Sequence, residues 1–179
     1  DGRLLLATDK GLWQLDPGSG GMRPLGGLNQ PASSLMLDTS GRIWIGYFEH
    51  GLECISSDGA QRNSFRHQPD AADSLSDDRI RDILQDSNGQ LWIATQNGLN
   101  LKHPDNPSFQ RFQQDAANPF SLSDDRLMSL AQDHNGLIWI GTRVGGVNRW
   151  NPRSWLLGGY EPTELSGAVV LAFADADAE

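Results

Sequence analysis

The sequence predicts an all-β fold made of a repeated four-stranded unit. One short phrase occurs at 41–46, 89–94 and 136–141, and a degenerate copy stands at 2–7. The three clear copies begin 48 and 47 residues apart, a period typical of propeller blades of four strands. The chain also holds 20 glycines and nine prolines between short apolar runs, which favours strands and turns. We therefore expect about four β-propeller blades of antiparallel strands, as a partial propeller or a small ring.

Each unit divides into elements in the same order. An inner strand is followed by an Asp-x-x-Gly turn, in which Asp bonds its own backbone and Gly supplies a positive φ. A nearly continuous apolar strand carries the tryptophan, and a hairpin such as Gln96-Asn97-Gly98 leads into a third strand. The outer strand is marked by Phe65 and Phe112. The predicted inner strands are Ile80–Gln85 and Leu127–Gln132, and the predicted third strands are 98–101 and 146–150.

The units divide the chain into blades. We assign a partial blade 1 to 1–27, blade 2 to 28–75, blade 3 to 76–122 and blade 4 to 123–164. Residues 165–175 are predicted to contain the first strand of a further blade, because 169–175 match 80–86 at their spaced apolar positions. The chain could close as a four-bladed ring, pair with a second copy into an eight-bladed ring, or be a segment of a larger sensor. We favour the last origin, with self-association through open blade edges.

Composition excludes several classes of protein. A net charge of −9 and a pI near 4.7 argue against binding to nucleic acid or to an anionic membrane surface. The longest apolar run, 168–174, is too short to span a bilayer, so we expect any membrane attachment to lie outside this chain. The single Cys54 excludes an internal disulfide and is predicted to be a small buried hydrophobe.

Two complete units carry a family resemblance. The segments 86–99 and 133–152, with the preceding loop 121–126, resemble the two-component regulator propeller repeat family. Tyr47 departs from the family pattern, since Thr95 and Thr142 stand at the equivalent positions, and Leu5 replaces the tryptophan of the first unit.

This resemblance implies a function. Such propellers form the periplasmic, extracytoplasmic input region of bacterial inner-membrane receptors with kinase, hybrid two-component or diguanylate cyclase outputs, and their ligands are often oligosaccharides. We therefore expect ligand sensing and signal transduction, without catalysis in this segment. Two other roles stay open: a scaffold for protein partners, and a propeller lyase or glycosidase in which Asp77 and Asp124 approach one another across adjacent blades.

Candidate ligand-binding residues lie where the repeat is interrupted. Trp44, Trp92 and Trp139 recur in every unit, so they are predicted to be packing residues. The expected ligand hairpin of the second unit contains Tyr47, Phe48, Glu49 and His50, and Trp155 and Tyr160 are weaker aromatic candidates.

A second set of candidates precedes the inner strands, where we expect the mouth of the central channel. Two acid–acid–base triples stand there, from which Asp78, Arg79, Asp125 and Arg126 are candidate ligand contacts, together with Arg143. The same triples could instead cap the loop backbone and form ion pairs between blades. No metal site, cofactor or catalytic motif is predicted: the Asp-x-x-Gly turns lack the length of a calcium loop and its terminal Glu, and no nucleophile elbow or phosphate loop is present.

Overall fold

The protein consists of four antiparallel sheets in a computed structural model that describes residues 4–25, 29–57, 59–152, 154, 156–160 and 168–173. Sheet 1 contains β1 (Leu4–Thr8), β2 (Gly11–Leu15) and β3 (Met22–Pro24). Sheet 2 contains β4 (Ala32–Leu37), β5 (Ile43–Tyr47), β6 (Leu52–Ile55) and β7 (Arg62–Phe65). Sheet 3 contains β8 (Ile80–Gln85), β9 (Leu91–Thr95), β10 (Gly98–Lys102) and β11 (Gln110–Phe112). Sheet 4 contains β12 (Leu127–Gln132), β13 (Ile138–Thr142), β14 (Val147–Asn151) and β15 (Leu156–Tyr160).

Each sheet is a meander in which strands pair in chain order. The predicted all-β fold class is thus confirmed, as are the bounds of the inner strands β8 and β12. The third strand of sheet 4, β14, begins one residue later than predicted. Each of the inner strands β4, β8 and β12 contains a register shift near its first residue, a bulge that the repeat pattern does not reveal. None of the described residues forms a helix able to cross a bilayer.

The core lies between successive sheets. Among the described residues, buried apolar side chains form three clusters, one between each pair of consecutive sheets. Trp44 stacks on Phe65 with ring centroids 5.9 Å apart, and Trp92 packs against Trp150 at 5.6 Å. Trp44 and Trp92 are buried, which confirms their predicted packing role, whereas Trp139 on sheet 4 is only half-buried. Cys54 is buried as predicted.

An aspartate fixes each recurring tryptophan. Its Oδ2 accepts the indole Nε1–H at 2.9 Å in all three units, in the pairs Asp38–Trp44, Asp86–Trp92 and Asp133–Trp139. The Oδ1 of the same carboxylate accepts the backbone N–H groups two and four residues later. Burial raises the pKa of Asp38, but hydrogen bonds from Trp44 and Arg42 outweigh burial and hold that pKa below its ordinary value. One side chain thus joins the turn to the core.

The C-terminal segment corrects one prediction. No strand is formed over 168–173, the described part of the predicted inner strand of a further blade. Isolated bonds replace a ladder: Val170 N–H donates to Thr142 O at 3.1 Å, and Ser129 Oγ donates to Val170 O at 3.1 Å. Val170 nevertheless packs on Gly141 as Ile80 packs on Gly46. Val170 therefore occupies the packing position of Ile80, the first residue of an inner strand, whereas the sequence match assigns that position to Val169. Among the described residues, no strand lies beside this segment to complete a ladder.

Candidate ligand-binding face

The hairpins after β5, β9 and β13 lie on one face together with the loops that lead into β8 and β12. We call this the hairpin face and define it as residues 48–51, 76–79, 96–97, 123–126 and 143–146. Each hairpin is bonded to the lead-in loop of its own sheet, through Gln96 N–H to Arg79 O at 3.0 Å and through Arg143 N–H to Arg126 O at 2.8 Å. The predicted site residues of several units therefore share one surface.

The hairpins also bond to the following sheet. Gly51 N–H donates to Asp78 O, and Gly98 N–H donates to Asp125 O, both at 2.8 Å. Gly98 has a φ of +111°, and a Cβ there would lie 2.6 Å from Phe112 O, so a side chain is excluded at this junction. The hairpin face is thus a continuous backbone-bonded surface across successive blades.

The second acid of each triple anchors the loop after the outer strand of the preceding sheet. Asp78 accepts His67 N–H at 2.7 Å through Oδ1 and pairs with Arg66 at 2.8 Å through Oδ2. Asp125 accepts Gln114 N–H at 2.6 Å in the same way. These acids are therefore engaged in joining one blade to the next, as the structural alternative predicted.

The first acid of each triple pairs with the arginine of the same triple. Arg79 Nη2 lies 2.7 Å from Asp77 Oδ2, and Arg126 Nε lies 3.1 Å from Asp124 Oδ1. Burial raises the pKa of Asp77, but the hydrogen bonds with Arg79 have the larger, opposite effect. The pKa of Asp77 therefore lies below its ordinary value. A general acid requires the opposite shift. The arginine side chains are 51% and 44% exposed, so they present positive charge at the surface.

A buried polar cluster lies beneath each triple. Ser76 N–H donates to Asn100 Oδ1 at 2.8 Å, Asn100 Nδ2 donates to Ser76 Oγ at 2.8 Å, and Ser76 Oγ lies 2.9 Å from Thr95 Oγ1. Sheet 4 repeats the Ser–Asn exchange with the same types of residue, Ser123 and Asn148, at 3.1 and 2.8 Å. Sequence reasoning missed this cluster, although its serine and asparagine recur with the period of the repeat.

In sheet 2 a Tyr47–Glu53 pair takes the place of that cluster. This pair corrects the prediction that Tyr47 lies in the hairpin loop. Tyr47 ends β5 and is 4% exposed, so it lies under the hairpin rather than in it. Its hydroxyl donates to Glu53 Oε2 at 2.6 Å. Burial and the neighbouring Glu53 carboxylate raise the pKa of Tyr47 well above its ordinary value. Tyr47 supports the hairpin and does not present an aromatic face to solvent.

The remaining hairpin residues are exposed. Phe48 is 45% exposed, and Glu49 and His50 lie beside it at the surface. The His50 ring stands at a steep angle to the Tyr47 ring, with centroids 6.4 Å apart. The bond with Asp77 is the main cause that raises the pKa of Arg79, and the negative charge of Glu49 contributes to it.

Three further ligand candidates were predicted, Arg143, Trp155 and Tyr160. Arg143 is exposed on the hairpin face, whereas Trp155 and the side chain of Tyr160 lie outside the described residues. No group of three or more His, Cys, Asp or Glu side chains able to hold a metal ion is formed by the described residues. The exposed candidates therefore share the hairpin face, where they are spread over sheets 2 to 4.

Fold and sequence comparisons agree on the class of protein. Four stacked four-stranded or three-stranded meanders define a β-propeller architecture. The two component regulator propeller family model matches residues 74–97 and 121–143, which confirms the predicted resemblance for these two units. No curated protein matches the chain.

Solved structures with a similar fold include three propellers. The extracellular domain of a hybrid two component system from B. thetaiotaomicron is 20% identical, with a TM-score of 0.66 over 76% of this chain and 19% of the other. PorZ, a surface component of the type-IX secretion system of Porphyromonas gingivalis, is 16% identical, with a TM-score of 0.69 over 94% and 27%. Virginiamycin B lyase from Staphylococcus aureus is 12% identical, with a TM-score of 0.61 over 85% and 48%. At these identities the likeness shows the fold, and this chain spans less than half the length of each.

Proposed function

We propose that this chain is part of the periplasmic sensing propeller of a bacterial membrane receptor, and that its hairpin face contacts the receptor's ligand. The two family repeats support a role in signal reception. The similar fold of an extracellular domain from a hybrid two component system supports the same placement outside the cytoplasm. The chain's part in this role is recognition, without chemistry of its own.

One observation carries the proposal: the hairpin of sheet 2 is the place where the hairpin face stops repeating. Sheets 3 and 4 build the same Ser–Asn exchange under their hairpins, whereas sheet 2 builds the Tyr47–Glu53 pair. Structural requirements shared by all blades do not explain a feature present in only one. A distinct hairpin on a common scaffold is the usual position of a specificity element in a repeat protein.

The exposed groups define the class of ligand. Phe48 offers an exposed apolar ring, its chain neighbour Glu49 offers an acceptor, and the half-exposed guanidinium of Arg79 offers donors on the same hairpin face. A face that combines an exposed ring with hydrogen-bonding groups suits a molecule that has apolar C–H faces and many hydroxyl groups. We infer that the ligand is an oligosaccharide.

A binding experiment tests this function. Isothermal titration with a panel of neutral oligosaccharides is expected to identify a ligand whose affinity falls at least tenfold in Arg79→Gln or Phe48→Ala. The expected loss equals about 1.4 kcal/mol, which is typical of one hydrogen bond to a charged group. Arg149→Gln, which changes an exposed arginine on β14, is expected to bind like the wild type.

Other outcomes identify the alternative roles. Binding that is unaffected by both variants would remove the hairpin face from the proposal. Cleavage of the oligosaccharide, lost in Asp124→Asn, would indicate the lyase or glycosidase. Capture of protein partners without any saccharide binding would indicate the scaffold.

A further inference from the structure

A second concave site lies at the opposite end of the strands. A groove of about 540 Å³ separates sheet 2 from the segment that follows β10, and its volume falls within the usual range for small-molecule sites. Arg42 lines it immediately before β5, whereas the hairpin face follows the other end of β5. The groove is therefore distinct from the hairpin face, and its occupancy does not depend on the function proposed above.

The groove is positively charged in a chain whose net charge is −9. Arg42, Arg62 and Lys102 line it, and no aspartate or glutamate is among its described lining residues. Lys102 Nζ donates to the backbone carbonyl oxygens of Asn106 at 2.7 Å and His103 at 3.4 Å. These partners are uncharged, so they orient the ammonium group without neutralising it.

Arg42 is held in a fixed position by an ion pair that offsets part of its charge. Asp38 holds its Nε at 2.6 Å, and the guanidinium carbon lies 5.7 Å from the centre of the Trp44 ring. Its side chain remains 41% exposed toward solvent. Burial lowers the pKa of Lys102, and the positive charge of Arg42, which lines the same groove, lowers it further, while Asp105 offsets part of this effect. A bound anion would be attracted by both cations.

The neutral part of the lining indicates what else the ligand contains. Gln61, Asn63 and Ser64 contribute amide and hydroxyl groups to the wall. Such groups bind hydroxyl groups better than alkyl chains. We propose that this groove binds a polyhydroxylated small molecule that carries an oxyanion, either a carboxylate or a sulfate ester, with the oxyanion between Lys102 and Arg42.

The lysine content of the chain allows a direct test, because Lys10 and Lys102 are its two lysines. Protein labelled with ¹³C-lysine is titrated separately with galacturonate and with galactose 6-sulfate, and the lysine signals are followed by NMR. Galactose is the neutral control. At least one anion is expected to shift the Cε signal of Lys102 along a saturable curve, while that of Lys10 stays in place. The anion that binds with the higher affinity shows whether the groove prefers a carboxylate or a sulfate ester.

Three results would overturn the proposal. The first is a Lys102 Cε signal that neither anion shifts. The second is an equal shift of the Lys10 and Lys102 signals. The third is a shift of the Lys102 signal that sodium chloride reproduces at the same ionic strength. Variants give a second readout by calorimetry: Lys102→Gln and Arg42→Gln are each expected to weaken the anion at least fivefold, and Lys10→Gln to leave it unchanged. The wild-type spectra decide the question even if Arg42→Gln, which alters the Asp38 clamp, folds poorly.

Discussion

At the scale of single residues, the aspartate that holds the tryptophan has several functions in each of the three clear units. Asp86, for example, begins the turn after the inner strand, satisfies two backbone N–H groups and accepts a buried indole N–H. A buried donor left without an acceptor costs more than an average hydrogen bond contributes. The recurring Asp-x-x-Gly turn is therefore a device for burying tryptophan as well as for reversing the chain.

Asp86→Ala is expected to lower the free energy of unfolding by about 2–4 kcal/mol, because it leaves the N–H of the fully buried Trp92 without its acceptor. Urea denaturation at neutral pH measures the loss. The matched control is Asp70→Ala, at an exposed turn position, which is expected to change stability by less than about 0.5 kcal/mol.

A double variant separates the indole bond from the turn. In Trp92→Phe the N–H is absent, so adding Asp86→Ala should cost less than it costs in the wild type. Strict additivity of the two changes would show that the Asp86–Trp92 bond contributes nothing and that only the turn matters.

At the scale of elements, the inner strands are joined by side chains rather than by a backbone ladder. Asp82 Oδ2 accepts Leu130 N–H at 2.8 Å, which links β8 to β12, and Asp82 Oδ1 accepts Ile83 N–H at 2.9 Å. Ser34 and Ser129 occupy the equivalent strand positions. Sheet 3 thus places a carboxylate at a blade junction where its neighbours use a hydroxyl.

This junction is expected to make stability depend on pH. Burial raises the pKa of Asp82 above its ordinary value, and the two backbone bonds offset part of that rise. A carboxyl whose pKa is raised on folding binds more protons in the folded state, so its contribution is greatest below the unfolded pKa of about 3.9 and is lost as pH rises through the folded value. Relative to Asp82→Asn, the wild type should therefore gain stability as pH falls from 7 to 4.

Urea denaturation of both proteins at half-unit pH intervals measures the difference. A difference that is constant with pH, or that grows as pH rises, would show that Asp82 is not destabilised by its burial. The same series with Asp70→Asn corrects for the general effect of removing one carboxylate.

At the scale of the whole molecule, the repeat made the architecture predictable. A feature that recurs every 47 or 48 residues can be aligned with itself, so β8 and β12 were placed to the residue. Phe65 and Phe112 mark the outer strands β7 and β11 by the same comparison. Periodicity supplies long-range information that a single strand pattern does not contain.

The sites were less predictable because they depend on contacts between units. For Asp78 and Asp125 the sequence left open ligand contact or a bond to the loop backbone, and each in fact binds a backbone N–H that belongs to the preceding blade. Tyr47 was placed in a loop because it departs from the repeat, but Glu53 departs with it at the asparagine position and forms its partner. That paired departure was visible in the sequence. The shared groove of Arg42 and Lys102 was not, because the two residues belong to different units and neither departs from the repeat in a way that points to the other.

The last prediction concerns association of the molecule. Apolar side chains are exposed at both ends of the series of sheets, among them Leu4 and Met22 on sheet 1 and Leu171, 70% exposed, beside sheet 4. Unpaired strand edges and apolar patches of this kind favour contact with a second copy.

We expect the sedimentation coefficient to rise with protein concentration, and Leu171→Asp to reduce that rise. Phe48→Asp, on the hairpin of sheet 2, changes an exposed apolar residue of a sheet inside the series and should not reduce it. A constant monomer mass at high micromolar concentration would exclude pairing of two copies, and the edges would then be covered by other blades or remain open.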